Sequence, residues 1–261
     1  MPQKRKGPLK GNQRLSGSVK KLPSKSLQID VKIERKDYYG IVERIKREFV
    51  NEKITPVPDY IDPMLAIDIN EAFNDRDWLF EIDWNGCRTI ACLNDGMINI
   101  FMSNDPDMSD QCSAIKQALQ YWPVNAVVDG ELVIPDEEIK TNQRDGLNRK
   151  PLHRGQLLYY VSDLLWLDGI SLLDKPLAKR REVLKKILPD KGFIRYSDAI
   201  EECGIDLFHS AIANGFKGIV AKRKDSAYVP GKRMGCWLKV NVEEVGKSGR
   251  MGRVVDGEDG R

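Results

Sequence analysis

The strongest constraint on the fold lies in residues 78–102, WLFEIDWNGCRTIACLNDGMINIFM. Three apolar runs, Trp78–Asp83, Arg88–Leu93 and Met97–Met102, are separated by Asn85-Gly86 and by Asn94-Asp95-Gly96. Runs of this length bounded by Asn, Asp and Gly read as strands. The second turn makes the last two runs an antiparallel hairpin, because Asn, Asp and Gly accept the positive φ that tight turns demand. Alternate residues of a strand share a face, so Glu81 and Asp83 point the same way. Around the first turn the chain therefore gathers Asp83, Asn85 and Arg88, an acid, an amide and a cation with no nucleophile beside them.

The rest of the chain mixes helices and strands without strict alternation. Tyr38, Ile41, Val42, Ile45 and Phe49 recur at helical spacing in 37–50. Residues 109–121 read as a second helix, KPLAKRREVLKKILP as a third bounded by Pro176 and Pro189, and CGIDLFHSAIANG as a fourth closed by Gly215. In the third, Leu177, Leu184, Ile187 and Leu188 face the core and the cations form a solvated face. NAVVDGELVIPDEE, QLLYYVSDLLWLDG, KGIVAKR and CWLKVNV add strands, and 136–156 is a polar surface loop. The pattern predicts an α+β domain with mainly antiparallel sheets over residues 31–245, preceded by a disordered basic tail (1–30) and followed by a flexible tail (246–261).

Charge is uneven. The net charge is +3, yet residues 1–26 hold eight Lys/Arg and no acid, leaving −5 for residues 27–261. A basic segment poor in large apolar residues suits a polyanion such as DNA, or simply keeps the chain in solution. The five cysteines (87, 92, 112, 203 and 236) never occur as C-x-x-C, which argues against a disulfide framework or a zinc site and for a reducing, cytoplasmic setting. His153 and His209 are the two histidines, too few for a His-rich metal centre, and His209 reads as structural. No apolar run approaches the roughly 20 residues that span a bilayer.

Three strand ends place charge beside glycine: Asp83/Gly86/Arg88, Gly130/Glu131, and Lys217/Gly218 with Lys222, while Lys239 follows on a fourth strand. Arg88, Lys222 and Lys239 could line a groove for a phosphate chain. The plainer alternative is a set of surface ion pairs.

Several ordered segments carry a resemblance: WLFEIDWNGCR, VVDGELVIPDE, YYVSDLLWLDG, KRREVLKKIL, GIVAKRKDSAYVPGKR and WLKV, from Pro63 to Val240. Together they resemble the nucleotidyltransferase (adenylation) domain of ATP-dependent DNA ligases, in particular the bacterial end-joining type. RNA ligases and capping enzymes are a weaker match, because PMLA and KRREVL look like the DNA-ligase branch. The resemblance implies two mainly antiparallel sheets flanked by helices, ATP-grasp-like, with the nucleotide between them. It implies ATP and Mg as cofactors, DNA and repair proteins as partners, and a cytoplasmic, nucleoid-associated setting. By the same resemblance Glu81 accepts from the adenine amino group, Arg88 and Glu131 hold the ribose and the metal side, and Lys222 and Lys239 face the α-phosphate.

The departures from the family pattern are specific. Asp83 stands at the position of the adenylated lysine and Asn85 at that of the motif's aspartate. Ser162 replaces the aromatic residue that covers the base, Lys217 a metal-side glutamate and Asn241 a second lysine, while MSNDPD lacks an arginine. About twenty polar residues follow WLKV where the family has an OB-fold. A carboxylate at 83 is about 3 Å shorter in reach than a lysine ammonium, and its adenylate would be a labile mixed anhydride. Loss of the stacking residue is expected to weaken base binding by about 1–3 kcal/mol. The reversed signs at 83 and 217 predict an inverted Asp83–Lys217 ion pair across the old centre. Two roles follow: a non-catalytic module that binds DNA or nucleotide, or a minimal ligase in which Lys217 is a relocated nucleophile.

Overall fold

Alternating side chains on the strands feed separate cores, and that sorting builds the molecule. The computed structural model describes residues 35–102, 105–107, 112–134, 157–190 and 192–242. The proposed basic tail, the loop 136–156 with His153, and the C-terminal tail lie outside these residues. The described residues fall within one compact unit, 32–261.

One sheet has five strands: β1 (Leu65–Ile69), β2 (Asp75–Ile82), β10 (Ala199–Glu202), β11 (Gly218–Arg223) and β12 (Arg233–Asn241), in the order β1-β12-β11-β2-β10. The other runs β5-β4-β3-β6-β7-β8, from β3 (Cys87–Asn94), β4 (Met97–Met102), β5 (Asp105–Asp107), β6 (Ala126–Val133), β7 (Leu158–Leu167) and β8 (Ile170–Ser171), with β9 (Ile194–Tyr196) beside β7. Only β1–β12 and β7–β9 pair in parallel among the described strands. The helices are α1 (Arg35–Glu48), α2 (Ser113–Gln120), α3 (Leu177–Ile187) and α4 (Gly204–Ala213). The α+β fold with two mainly antiparallel sheets is therefore as expected, and Asn94–Met97 closes the predicted hairpin. No described helix is long and apolar enough to cross a membrane.

The outer face of the seven-stranded sheet packs Ala91, Leu93, Val128 and Leu164 against Val42 and Ile45 of α1, Ile115 and Leu119 of α2, and Val183, Leu184 and Ile187 of α3. The outer face of the five-stranded sheet packs Phe80, Ile219, Ala221 and Val240 against Leu207, Phe208 and Ala211 of α4. Ile90, Cys92, Val127 and Leu165 of the first sheet meet Trp237 of the second in a third core. By alternation, Glu81, Val220, Lys222 and Lys239 turn toward the inter-sheet side.

The cations of α3 do not all form a solvated face. Lys185 and Lys186 are exposed, but Arg180 and Arg181 are buried, at 0% and 4% exposure. Arg180 donates to both oxygens of Asp163 on β7, at 2.8 and 2.7 Å, and to the carbonyls of Lys175 and Ser226. Asp163 also accepts from the Leu164 N–H. Both side chains of this pair are fully shielded. Removing one member leaves a bare charge in the core, which typically costs about 3–5 kcal/mol. Asp163→Asn is therefore expected to lower the stability measured in urea by that amount. Lys186→Ala, on the exposed face of the same helix, is expected to change it by less than about 1 kcal/mol.

Candidate functional site

The first turn of the opening segment is not a turn within one sheet. β2 and β3 belong to different sheets, so Asp83–Gly86 is the crossing between them. Asn85 takes φ +58°, which its short side chain tolerates. Gly86 runs so close to β6 that a Cβ there would lie 2.5 Å from the Leu132 carbonyl oxygen. The Asp83 N–H donates to the Gly218 carbonyl at 3.1 Å, tying the crossing to the start of β11.

Beside this crossing lies a narrow cleft between the sheets, with room for little more than a water molecule. One wall is Glu81, Ile82, Trp84, Val220 and Lys222; the other is Arg88, Glu131, Tyr160, Ser162 and Ser197. Strand register explains the grouping. Val220 is the partner of both Glu81 and Lys239, so these three stand in a row across β2, β11 and β12. Arg88 is the register partner of Glu131 across β3 and β6. The strands thus bring Glu81, Arg88, Glu131 and Lys222 together, with Lys239 flanking them. Lys217 is exposed, just before β11, and lies outside the residues that line the cleft.

The cations near the cleft each meet an internal carboxylate. Lys222, 2% exposed, donates to Glu81 Oε2 at 3.0 Å, and Arg181 donates to Glu81 Oε1 at 2.8 Å. Arg88 grips both oxygens of fully buried Asp129, which also accepts from the Tyr228 hydroxyl at 2.7 Å. Lys239 Nζ lies 2.7 Å from Asp83 Oδ2, an ion pair off the ideal hydrogen-bonding direction. This corrects the expected pairing: the lysine found on the Asp83 carboxylate is Lys239, not the oppositely signed Lys217. The reason is topological. Asp83 continues the face of Glu81, and Lys239 stands on that same face two strands away. Burial lowers the pKa of Lys222 despite Glu81. Burial also opposes the charge on Lys239, but Asp83 and Glu131 outweigh it and the net shift is upward.

Two groups escaped the sequence reading. Trp84 stacks on Tyr160 with ring centroids 3.9 Å apart and planes 19° from parallel, and its edge meets Phe216. Its indole N–H donates to Ser197 Oγ at 3.3 Å, and that hydroxyl donates to Glu81 Oε2 at 3.4 Å. The buried network of Asp129, Asp163, Arg180 and Arg181 was also missed. A signal existed for it: the acids inside the apolar runs AVVDGELV and YVSDLLWL demand buried partners.

Glu131 is the carboxylate least well served. Its Oε2 is shut off from solvent and has no hydrogen-bond partner among the described residues. Burial, reinforced by Asp83, raises its pKa from 4.5 to about 7 against the pull of Arg88, Lys239 and Lys222. The folded state then holds a proton that the unfolded chain has released. Stability from this group is complete below about pH 4.5 and is lost as pH rises toward 7, by on the order of 3 kcal/mol. Denaturant titration of the native chain is expected to show the unfolding free energy falling between pH 5 and pH 8, and Glu131→Gln is expected to flatten that fall.

Comparison with known proteins agrees with this architecture. Residues 63–241 match the family described as ATP dependent DNA ligase domain. The multifunctional non-homologous end joining protein LigD of Pseudomonas aeruginosa is 30% identical over 193 residues, covering 72% of this chain and 23% of that protein. The SPbeta prophage-derived DNA ligase-like protein LigB of Bacillus subtilis is 28% identical over 187 residues, covering 69% of this chain and 67% of that protein. Among solved structures, mycobacterial DNA ligase D complexed with ATP and MES superposes with a TM-score of 0.60 at 27% identity, covering 70% of this chain and 60% of that one. The chain thus spans about a quarter of the length of its end-joining relatives. With the match covering most of its length and both sheets in place, the chain belongs to the ATP-dependent DNA ligase domain family, in the company of the bacterial end-joining ligases.

Proposed function

We propose that this chain is a ligase-family adenylation domain that holds DNA or nucleotide without becoming adenylated. The observation that carries the reading is the Asp83–Lys239 contact at 2.7 Å. At the position where the resemblance puts an amine nucleophile, a buried carboxylate occupies the nearest lysine. An anion there repels a triphosphate, and the amines that meet carboxylates, Lys222 on Glu81 and Lys239 on Asp83, are held as ion pairs. Lys217, the alternative nucleophile, is exposed and outside the cleft lining.

The residues do not fit ATP with a divalent ion. Glu131 offers one buried oxygen without a hydrogen-bond partner, but by the resemblance Lys217 stands where a second acid would, and the described residues contain no cluster of three acids, histidines or cysteines that could hold a metal. What remains is binding. The eight cations of residues 1–26 supply a salt-sensitive contact for phosphate backbones. Under this reading the chain acts in DNA repair in the cytoplasm, alongside repair proteins, by occupying ends or nicks.

Two measurements test this. Incubation with α-labelled ATP and magnesium is expected to leave the protein unlabelled. A labelled band lost in Lys217→Ala would establish the relocated nucleophile instead. Binding to a nicked duplex is expected to weaken as salt rises, and neutralising the eight cations of residues 1–26 to glutamine is expected to flatten that dependence. Salt-independent binding, or none at low salt, contradicts the DNA-holding role.

A further inference from the structure

The geometry points to Asp83 and Trp84 as a tethered occupant of the cleft, shaped like the nucleoside phosphate that the cleft's chemistry suits. The inference rests on the reading of the cleft as a nucleotide site, and it concerns binding alone.

Two successive residues take up such a site: Trp84 lines the cleft itself, and Asp83 lies on Lys239 at its flank. The carboxylate of Asp83 lies on Lys239, whose side chain is 35% exposed and so reachable by an anion from outside. The indole of Trp84 lies flat on Tyr160 at contact distance, leaving no room for a second ring between them. The indole N–H feeds Ser197 Oγ and through it Glu81, the acceptor facing the cleft. A bicyclic ring with an outward N–H, joined by a short backbone to an anion, thus uses a stacking face, a hydrogen-bond chain and a cation. A purine nucleoside monophosphate has the same three attachments. Phe216 supports the far edge of the indole, and the positive φ of Asn85 with the close passage of Gly86 holds the backbone that presents both groups.

The consequence is competition. A ligand bringing a ring and an anion enters only by displacing Trp84 from Tyr160 and Asp83 from Lys239. The two displacements are separable by variant and by ligand. Asp83→Asn, close in shape, frees Lys239 and is expected to tighten AMP binding about tenfold while leaving adenosine unchanged. Trp84→Ala opens the Tyr160 face and is expected to tighten both AMP and adenosine about tenfold. Adding Lys239→Gln to Asp83→Asn is expected to abolish the gain for AMP. Should Trp84→Ala unfold the chain, Trp84→Leu keeps the apolar bulk without a stacking face and gives the same readout. Dissociation constants come from calorimetry on the full chain without metal. AMP carries no pyrophosphate to lose, so the result does not depend on whether the wild type can be adenylated. Wild type that binds AMP as tightly as either variant, or variants without gain for either ligand, overturns the tethered occupant.

Discussion

Arg181 is the point on which the two sheets are hung together. Its Nη1 reaches Glu81 on β2 of one sheet and the Ser162 carbonyl on β7 of the other, and its Nη2 takes the Ser197 carbonyl. A guanidinium does this because it is planar, permanently charged and offers five donors in a fixed fork. Its ring-like face also lies over Tyr196, 4.8 Å from the centroid. With Arg181 fixed, Glu81 is fixed, and with Glu81 the ammonium of Lys222, which sits over the indole of Trp237 at 4.5 Å. The cleft is therefore an electrostatic arrangement before it is a space.

That arrangement is closed on itself. Glu81 answers Lys222 and Arg181, Asp129 answers Arg88, and Asp83 answers Lys239. In a medium that screens poorly, each of these pairs is far better than an unpaired charge, and each resists an incoming anion. The carboxylate at position 83 is thus matched by its surroundings: it meets a lysine on its own face of the sheet. Tyr160, two residues before Ser162 on the same strand, carries the stacked indole. Under the proposed reading, fold and family are retained without the adenylation chemistry, in keeping with function residing in the site and not in the scaffold.

Most of the scaffold was legible in the sequence, for identifiable reasons. The Asn94-Asp95-Gly96 turn left one pairing open to β3 and β4, and period-2 alternation put Glu81 and Asp83 on one face. Helical spacing found Tyr38, Val42, Ile45 and Phe49, all buried against the seven-stranded sheet. The partner of Asp83 was not legible, because matching charges by motif position ignores strand order. β12 lies beside β11, and its Lys239 shares a row with Glu81, whereas Lys217 precedes the strand. Arg180 and Arg181 were misread because a run of cations on a helix looks the same whether two of them turn inward or none does. The stacking of Trp84 on Tyr160 joins residues 76 positions apart in sequence, one in the crossing between the sheets and one on β7, and nothing local announces it.

The central claim is that no side chain of this cleft is placed to take AMP from a triphosphate. A crystal structure of the chain after exposure to ATP and magnesium tests it most directly. The account predicts that every side chain emerges unmodified, with Asp83 a free carboxylate. Continuous density from any side chain to an adenylyl group would contradict it.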